Sequence, residues 1–318
     1  MFRASCFMLI GIDASRAFVK QRTGIEEYSY QVIRHLTKEL KDCHVVLYLR
    51  DNNKIDFDLP EKWRMKKLWS PWLWTQFRLS LEMIFNPVDV LFIPSHTVPP
   101  IHSKKTIVTI HGLEYEFVPN AYSWWARFYM RTVIKNSCRW ANKIIAVSKN
   151  TRHDLVDSYK VPEDKIEVIY EGVSNCHSGL AYSARDPESN SFLNQIQDDK
   201  FLLFIGRLEE RKNISGIIDV FEILKDKYKI PHKIILIGKE GYGFGSSKFK
   251  VKSSKFNQDI IMPGHINEEE KFSLLKRAEV FLFPTFYEGF RLPVLEAQSV
   301  GVPVVASNVS SIPEITNG

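Results

Sequence analysis

The segment PTFYEGFRLPVLEA, residues 284–297, sets two carboxylates seven residues apart around a strand-to-helix turn. The apolar run VFLF precedes it, and Pro293 stands where proline favours the first turn of a helix. Glu288 is then expected in the loop at the strand end, and Glu296 about one turn into the helix. Gly289 lets the backbone come close to a ligand. The amides of Phe290 and Arg291, beside Leu292, can meet an anion at the helix N-terminus. Two carboxylates around an anion hole suit a ligand whose hydroxyls bracket a phosphate, which describes a sugar nucleotide. The plainer reading is a strand–turn–helix with two solvated glutamates.

A second cationic pair stands in FIGRLEERKN, residues 204–213. Arg207 follows Gly206 at a strand end, and Lys212 lies five residues on, where a helix starts. Together they can neutralise a diphosphate, Arg by a bidentate fork and Lys as a point charge. Two such cations alone are usually a solvated face; the carboxylate pair tips the balance. His111 ends the run TIVTI and is followed by Gly112. At a strand C-terminus it can donate to a sugar hydroxyl or stabilise a reacting centre. His96, in PSHTVPP, reads as structural. GKEGYGFG, residues 238–245, has the outline of a dinucleotide loop. SSKFKVKSSKF after it does not read as an apolar helix, however, and Asp259 begins a strand where a ribose-binding acid should end one. NAD is rejected in favour of a mobile loop beside a nucleobase.

The elements that position these residues alternate along the chain. Strands are expected at Phe7–Ile12, His44–Leu49, Asp89–Ile93, Thr106–Ile110, Lys143–Val147 and Ile166–Tyr170. A second series follows at Phe201–Ile205, Lys233–Ile237, Asp259–Ile261, Val280–Phe283 and Val302–Ala306. Helical patterns lie between them, including Glu26–Leu40, Asn213–Tyr228, Glu268–Arg277 and Leu292–Val300. This alternation predicts βαβ units and parallel sheets. The polar, aperiodic stretch 174–199 marks a domain boundary, giving domains over 1–175 and 176–318. The fold class is therefore α/β, with two doubly wound Rossmann-like domains and a site where strand C-termini face a cleft.

Glu288-x7-Glu296 followed by AQSVGVPVVAS resembles the retaining GT-B glycosyltransferases of family GT4. FIGRLEERKN resembles that family's phosphate-binding strand and helix start, and YEGV (170–173) the close of its first domain. IMPGHINEEEKFSLLKRAEVFLFPT resembles its base-binding loop, which puts Ile266 at the base. In the first half, GIDASR…TGIEEYSYQVIRHL and VDVLFIPSH…TIVTIHGLEYEF resemble members that transfer mannose in surface-polysaccharide assembly. The resemblance implies roles for His111, Arg207, Lys212 and Glu288 in catalysis. It implies donor contacts from Gly24, Gly206, Ile266, Gly289, Phe290, Arg291, Leu292 and Glu296, although an ordinary turn glycine suits Gly24 nearly as well. It also implies retention, a nucleoside-diphosphate sugar donor with GDP-mannose favoured, and a saccharide or lipid-linked acceptor. No metal is implied, and no Asp-x-Asp is present to hold Mg²⁺. Two departures stand out: Arg291 where the family commonly has Gly, and an end at IPEITNG where members continue with further helices. The rivals are a sugar-nucleotide epimerase or hydrolase of similar architecture, and a truncated donor-binding protein without activity.

Composition fits a soluble enzyme of two domains: 318 residues, 44% hydrophobic and 25% charged. Cys6, Cys43, Cys138 and Cys176 are scattered without a C-x-x-C pair, which points to a reducing, cytoplasmic setting and away from zinc or disulfides. MFRASCFMLIGIDAS has too short an apolar stretch for a signal peptide and reads as a first strand. The net charge of +6 falls entirely in the first half: residues 1–180 hold 25 Lys/Arg against 19 Asp/Glu, and 181–318 hold 18 of each. Much of it lies in residues 61–78, where Lys62, Arg64, Lys66, Lys67 and Arg78 mix with Trp63, Trp69, Trp72 and Trp74. That mixture suits an anionic membrane surface on the inner face of the cytoplasmic membrane. A solvated loop with inward tryptophans fits as well. Nucleic-acid binding is not expected, because the basic excess lacks a recognised module.

Overall fold

The computed structural model describes residues 8–19, 22, 24–50, 54–70, 73–172, 196 and 199–316. The chain divides into two compact units. The first comprises Met1–Leu113 and Trp124–Glu171, the second Glu114–Ser123 and Gly172–Gly318. The expected boundary at 175/176 falls outside the described residues, as do Cys6, Trp72 and Cys176.

In the first unit, seven parallel strands are described: β1 (Leu9–Asp13), β2 (His44–Arg50), β3 (Trp63–Leu68), β4 (Val90–Ile93), β5 (Lys105–Ile110), β6 (Lys143–Ala146) and β7 (Ile166–Val168). Their order is β3-β2-β1-β4-β5-β6-β7. Helices α1 (Gly24–Glu39), α2 (Ser80–Phe85), α4 (Trp124–Trp140) and α5 (Lys149–Tyr159) lie between them; the short α3 (Glu114–Phe117) belongs to the second unit. The strands are apolar because helices cover both faces of such sheets, leaving no solvated face to alternate with. Ile12, Leu47, Leu49, Leu91 and Ile110 are accordingly fully buried. Cys43 and Cys138 are buried free thiols, and burial pushes Cys138 up to about 12.

In the second unit the strands are β8 (Phe201–Ile205), β9 (Lys233–Ile237), β10 (Ile260–Gly264), β11 (Val280–Phe283) and β12 (Val304–Ala306), in the order β10-β9-β8-β11-β12. Its helices are α3 and then α6 (Ile214–Lys227), α7 (Phe244–Ser253), α8 (Glu268–Arg277), α9 (Leu292–Ser299) and α10 (Ile312–Thr316). Every residue of β8 is buried. Ile217, Ile218 and Phe221 of α6 pack in the same core as Phe204, Leu236 and Phe281. Asn213 caps α6 by accepting from the Gly216 amide, and Asn267 with Glu270 forms a reciprocal capping box on α8. Phe117 of α3 stacks on Tyr287, centroids 4.8 Å apart and planes 5° apart.

In each sheet the chain lays two strands on one side of its first and then returns to the other side. The reversals therefore fall between β1 and β4, and between β8 and β11. In open α/β sheets, ligands bind outside the strand C-termini at such a reversal.

Three segments differ from the sequence-based expectation. Residues 61–78 are not a loop: β3 pairs with β2 as an edge strand, and a π-helical turn follows over Trp74–Leu79. Trp63 and Trp74 are buried, their indole N–H groups donating to the carbonyls of Leu40 (3.1 Å) and Leu68 (2.9 Å). Trp69 is exposed, Lys62 reaches the Asp42 carbonyl, and Lys66 pairs with Glu82. Residues 244–253 do form a helix, α7, which buries Phe244, Ser247 and Val251 at i, i+3 and i+7. Residues 238–242 are bonded along their length to the turn after β8: Leu208 N–H to Lys239 O (2.8 Å), Gly241 N–H to Leu208 O (2.7 Å) and Glu210 N–H to Tyr242 O (3.1 Å). This loop is pinned, contrary to the mobile loop expected. Gly238 has φ +144°, and a Cβ there would lie 1.9 Å from the Gly206 carbonyl oxygen, so only glycine permits the contact. Asp259 ends a short turn before β10 and pairs with Lys225 at 2.8 Å, a structural bridge rather than a ribose contact.

Candidate active site

Two loops leave the strands that flank the reversal in the second sheet. One runs from Gly206 after β8, the other from Pro284 after β11. The first carries Arg207, Glu209, Arg211 and Lys212; the second carries Glu288, Gly289, Phe290 and Arg291. Backbone contacts tie them: Phe286 N–H and Thr285 Oγ1 both donate to the Arg211 carbonyl at 3.0 Å.

Their side chains form one buried ionic cluster. The Lys212 ammonium contacts Oε1 of Glu288, and Arg211 Nη1 lies 2.6 Å from the same oxygen. Arg211 also grips Glu209 through Nη2 (2.6 Å) and Nε (3.0 Å), and donates to the Tyr287 carbonyl at 3.0 Å. Glu288 itself is anchored, its N–H donating to Ser310 Oγ (3.0 Å) and its carbonyl accepting from Ser311 Oγ (3.1 Å). Burial, with the Arg211 cation adding to it, pushes the Lys212 pKa well below the lysine value. Burial alone would also lower Arg211, but Glu114 and Glu209 outweigh it and hold that guanidinium above its ordinary value.

Arg291 turns inward. It is 1% exposed, with Nη2 donating to Ser310 Oγ at 2.9 Å and its carbon 5.4 Å from the Phe283 ring centroid. Its Nε and Nη1 are buried without a hydrogen-bond partner. Burial and the Arg211 charge push it down to about 8. Arg291 is also the cap residue of α9. An arginine has no acceptor, and no side-chain cap bond forms there. The cations of Lys212 and Arg291 thus flank one aromatic ring at the N-terminus of a helix.

Glu296 is the fifth residue of α9, with Oε1 held by Lys271 of α8 at 2.7 Å. Burial would depress Lys271, but the carboxylates of Glu296 and Glu268 outweigh it and raise its pKa. Ile266, between β10 and α8, packs against the domain core. Gly289 is buried, and Phe290 and Leu292 are half-buried. Arg207 differs from Lys212: its side chain is 62% exposed and reaches Glu209 only at 3.9 Å.

Within the first unit, His111 follows β5 and is engaged at both nitrogens. Nε2 meets the Pro94 carbonyl at 2.9 Å and Nδ1 meets Glu171 at 3.1 Å. Pro94 can only accept, so Nε2 carries a proton. The Tyr28 ring packs edge-on to His111 with centroids 4.7 Å apart, and burial raises that phenol to about 12. To donate to a sugar hydroxyl, His111 must release one of these partners. His96 is buried and pushed down to about 3 by burial, with Arg16 and His111 adding, so it is neutral and fits its structural reading. Gly24 is the first residue of α1, and a Cβ would meet nothing within 4 Å. No tight backbone approach requires that glycine.

Sequence reasoning missed Arg211, Glu209, Lys271 and Ser310. Arg211 and Glu209 stood in the quoted EERK, but the Arg211 pairing with Glu288 spans 77 positions of chain, and nothing local signals it. Among the described residues no group of His, Cys, Asp and Glu is placed to hold a metal ion.

Two family models match the chain consecutively: "Glycosyltransferase Family 4" over residues 22–175 and "Glycosyl transferases group 1" over residues 186–317. The chain belongs to the group 1 glycosyltransferases of family 4. This glycosyltransferase is 26% identical over 309 residues to O-antigen chain mannosyltransferase B of Escherichia coli, covering 92% of this chain and 81% of that protein. It spans 27% and 63% of two longer mannosyltransferase relatives, from Escherichia coli and Salmonella typhimurium. Its fold is that of WaaG, a glycosyltransferase involved in lipopolysaccharide biosynthesis. The TM-score is 0.69 at 14% identity, over 98% of this chain and 84% of that one. Anabaena HepE in complex with UDP-glucose matches with a TM-score of 0.67 at 14% identity, over 97% and 83%.

Proposed function

We propose that this glycosyltransferase moves a sugar from a nucleoside-diphosphate donor to a saccharide or lipid-linked saccharide in surface-polysaccharide assembly. The transfer proceeds with retention, and the donor is GDP-mannose. The observation that carries the reading is the cation cluster of Arg211, Lys212 and Arg291 at the β8/β11 reversal, where a phosphate ligand belongs. Relatives named as O-antigen mannosyltransferases support the sugar and the setting, and a fold neighbour that holds UDP-glucose supports the donor class.

In this reading Arg207, Lys212 and the α9 N-terminus take the charge that develops on the departing diphosphate. Positioned cations stabilise such charge without reorganising. Arg291 adds a donor on the same side, where its unpaired Nε and Nη1 gain an acceptor. Both ion pairs to Glu288 use Oε1, which leaves Oε2 to orient sugar hydroxyls. Lys271 fixes the Glu296 carboxylate for the ribose.

Glu296 then touches a part of the donor that does not react and contributes uniform binding. Glu296→Gln is expected to weaken a free nucleoside diphosphate and the intact donor alike, by roughly 10–100-fold, the scale of one hydrogen bond to a charged group. Calorimetry with both ligands, beside a transfer assay with and without lipid-linked acceptor, tests this. Unchanged affinity for both ligands removes Glu296 from the donor site. Donor breakdown at the same rate without acceptor makes the protein a hydrolase.

A further inference from the structure

The loop after β12, residues 307–311, reads Ser-Asn-Val-Ser-Ser. Its three serines all bond to the loop that carries Glu288 and Arg291. Ser307 Oγ donates to the Thr285 carbonyl, and Ser311 Oγ donates to the Glu288 carbonyl at 3.1 Å. Ser310 Oγ accepts twice, from the Glu288 N–H at 3.0 Å and from Arg291 Nη2 at 2.9 Å. Ser310 does so from a costly backbone. Its φ is +48°, in the left-handed region where a Cβ crowds the following carbonyl. Glycine takes that conformation freely, whereas another residue persists there only where its surroundings over-determine it. Such strain gathers at ligand clamps, and here the strained residue holds two groups of the candidate site at once.

What the hydroxyl controls is Arg291. That side chain is buried, and its Nε and Nη1 have no partner, although each is a donor. A buried cation with open donors beside a second cation, Arg211, destabilises a fold that has no use for it. Glu288 does not answer it, since the ion pairs of that carboxylate run to Arg211 and Lys212. An anion would answer it. The Ser310 bond fixes the guanidinium plane through Nη2, so the open N–H groups keep their directions before a ligand arrives. Holding a flexible side chain in its bound pose in advance removes part of the ordering cost of binding.

We propose that Ser310 is a positioning residue of the donor site, a strained serine whose hydroxyl holds Arg291 with two donors open to the diphosphate. This rests on the donor reading above. A free nucleoside diphosphate isolates the route through Arg291, because the Glu288 carboxylate belongs to the sugar in that reading. The test is calorimetry with GDP in EDTA, beside thermal melts, on the parent and on three Ser310 variants. Ser310→Gly and Ser310→Ala should bind GDP about 3–10-fold more weakly, the scale of one lost hydrogen bond. Ser310→Thr keeps the hydroxyl and should bind like the parent. Stability should not follow that order. Ser310→Gly should melt above Ser310→Ala by roughly 2–8 °C, because glycine is unstrained at this φ. Ser310→Thr should melt below the parent, because a branched Cβ suits the left-handed region least. Arg291→Met should lower GDP affinity at least 10-fold. Adding Ser310→Gly to it should lower affinity no further, since no guanidinium remains to be held. Ser310→Gly that binds GDP like the parent overturns the proposal, as does a loss that adds in full to that of Arg291→Met. Affinities that track melting temperature through the series also overturn it, leaving the loop a purely structural role. A parent that binds neither GDP nor UDP refutes the donor reading itself, and this proposal with it.

Discussion

Glu288→Gln is expected to lower the melting temperature by roughly 6–20 °C. Its carboxylate is the shared partner of Lys212 and Arg211 inside the second unit, and the amide cannot balance either. Removing one partner from a buried ionic cluster costs about 3–5 kcal/mol, because an uncompensated charge stays behind. In a domain of this size each kcal/mol moves the midpoint by about 2–4 °C. Lys212 also gives the loss a pH dependence of definite sign. Burial and Arg211 already hold its folded-state pKa below the lysine value, and losing the carboxylate that contacts the ammonium removes an anion that favours its charged form. The folded variant then binds fewer protons than the unfolded chain between that depressed pKa and the ordinary lysine value. Its stability therefore rises with pH through that window, and the deficit against the parent shrinks between the two folded-state pKa values, where only the variant has lost the proton. Thermal melts at several pH values read this directly. A variant that melts with the parent at every pH contradicts the ionic cluster. A nucleoside diphosphate should raise the variant's midpoint, since it binds the folded state alone.

The second large effect is on catalysis. Lys212→Ala should reduce kcat/KM by roughly 30–1000-fold, the 2–4 kcal/mol typical of one lost charge-stabilising donor in a transition state. The fold should persist, because Glu288 keeps its 2.6 Å contact with Arg211. Arg207→Ala should fall by a similar factor with an unchanged melting curve, since that side chain is exposed and touches little. Near-parental rates in both variants contradict the phosphate clamp. A normal rate in Arg207→Ala alone confines the clamp to the buried cations.

The order of elements was legible because buried parallel strands are apolar from end to end, as FLLFI of β8 and KIILI of β9 show. The Glu288-x7-Glu296 turn was legible for a similar reason, since strand, loop and helix start are all local signals. What escaped depends on partners distant in sequence. β3 reads WRMKKL, buried only at its two ends, and becomes a strand by pairing with β2. α7 buries Phe244 and Val251 among three lysines and three serines, too sparse a stripe to show as a helix. Arg211 carries no local signal in EERK, and its place in the site comes from Glu288, 77 positions further on. His111 stood at the expected strand end, yet no motif announced that Pro94 and Glu171 would engage both its nitrogens. Arg291 was noted as a departure between the carboxylates; only the fold shows it buried with two donors unpaired.

Binding of a nucleoside diphosphate in EDTA, followed by calorimetry on the parent and on Lys212→Ala, tests the central claim most directly. The cation cluster and the α9 N-terminus predict one GDP per chain without added metal, with affinity falling at least 10-fold in Lys212→Ala, as loss of a charged phosphate contact requires. No heat with GDP or UDP until Mg²⁺ is restored, or equal affinity in the two proteins, would contradict a metal-free diphosphate site at the β8/β11 reversal.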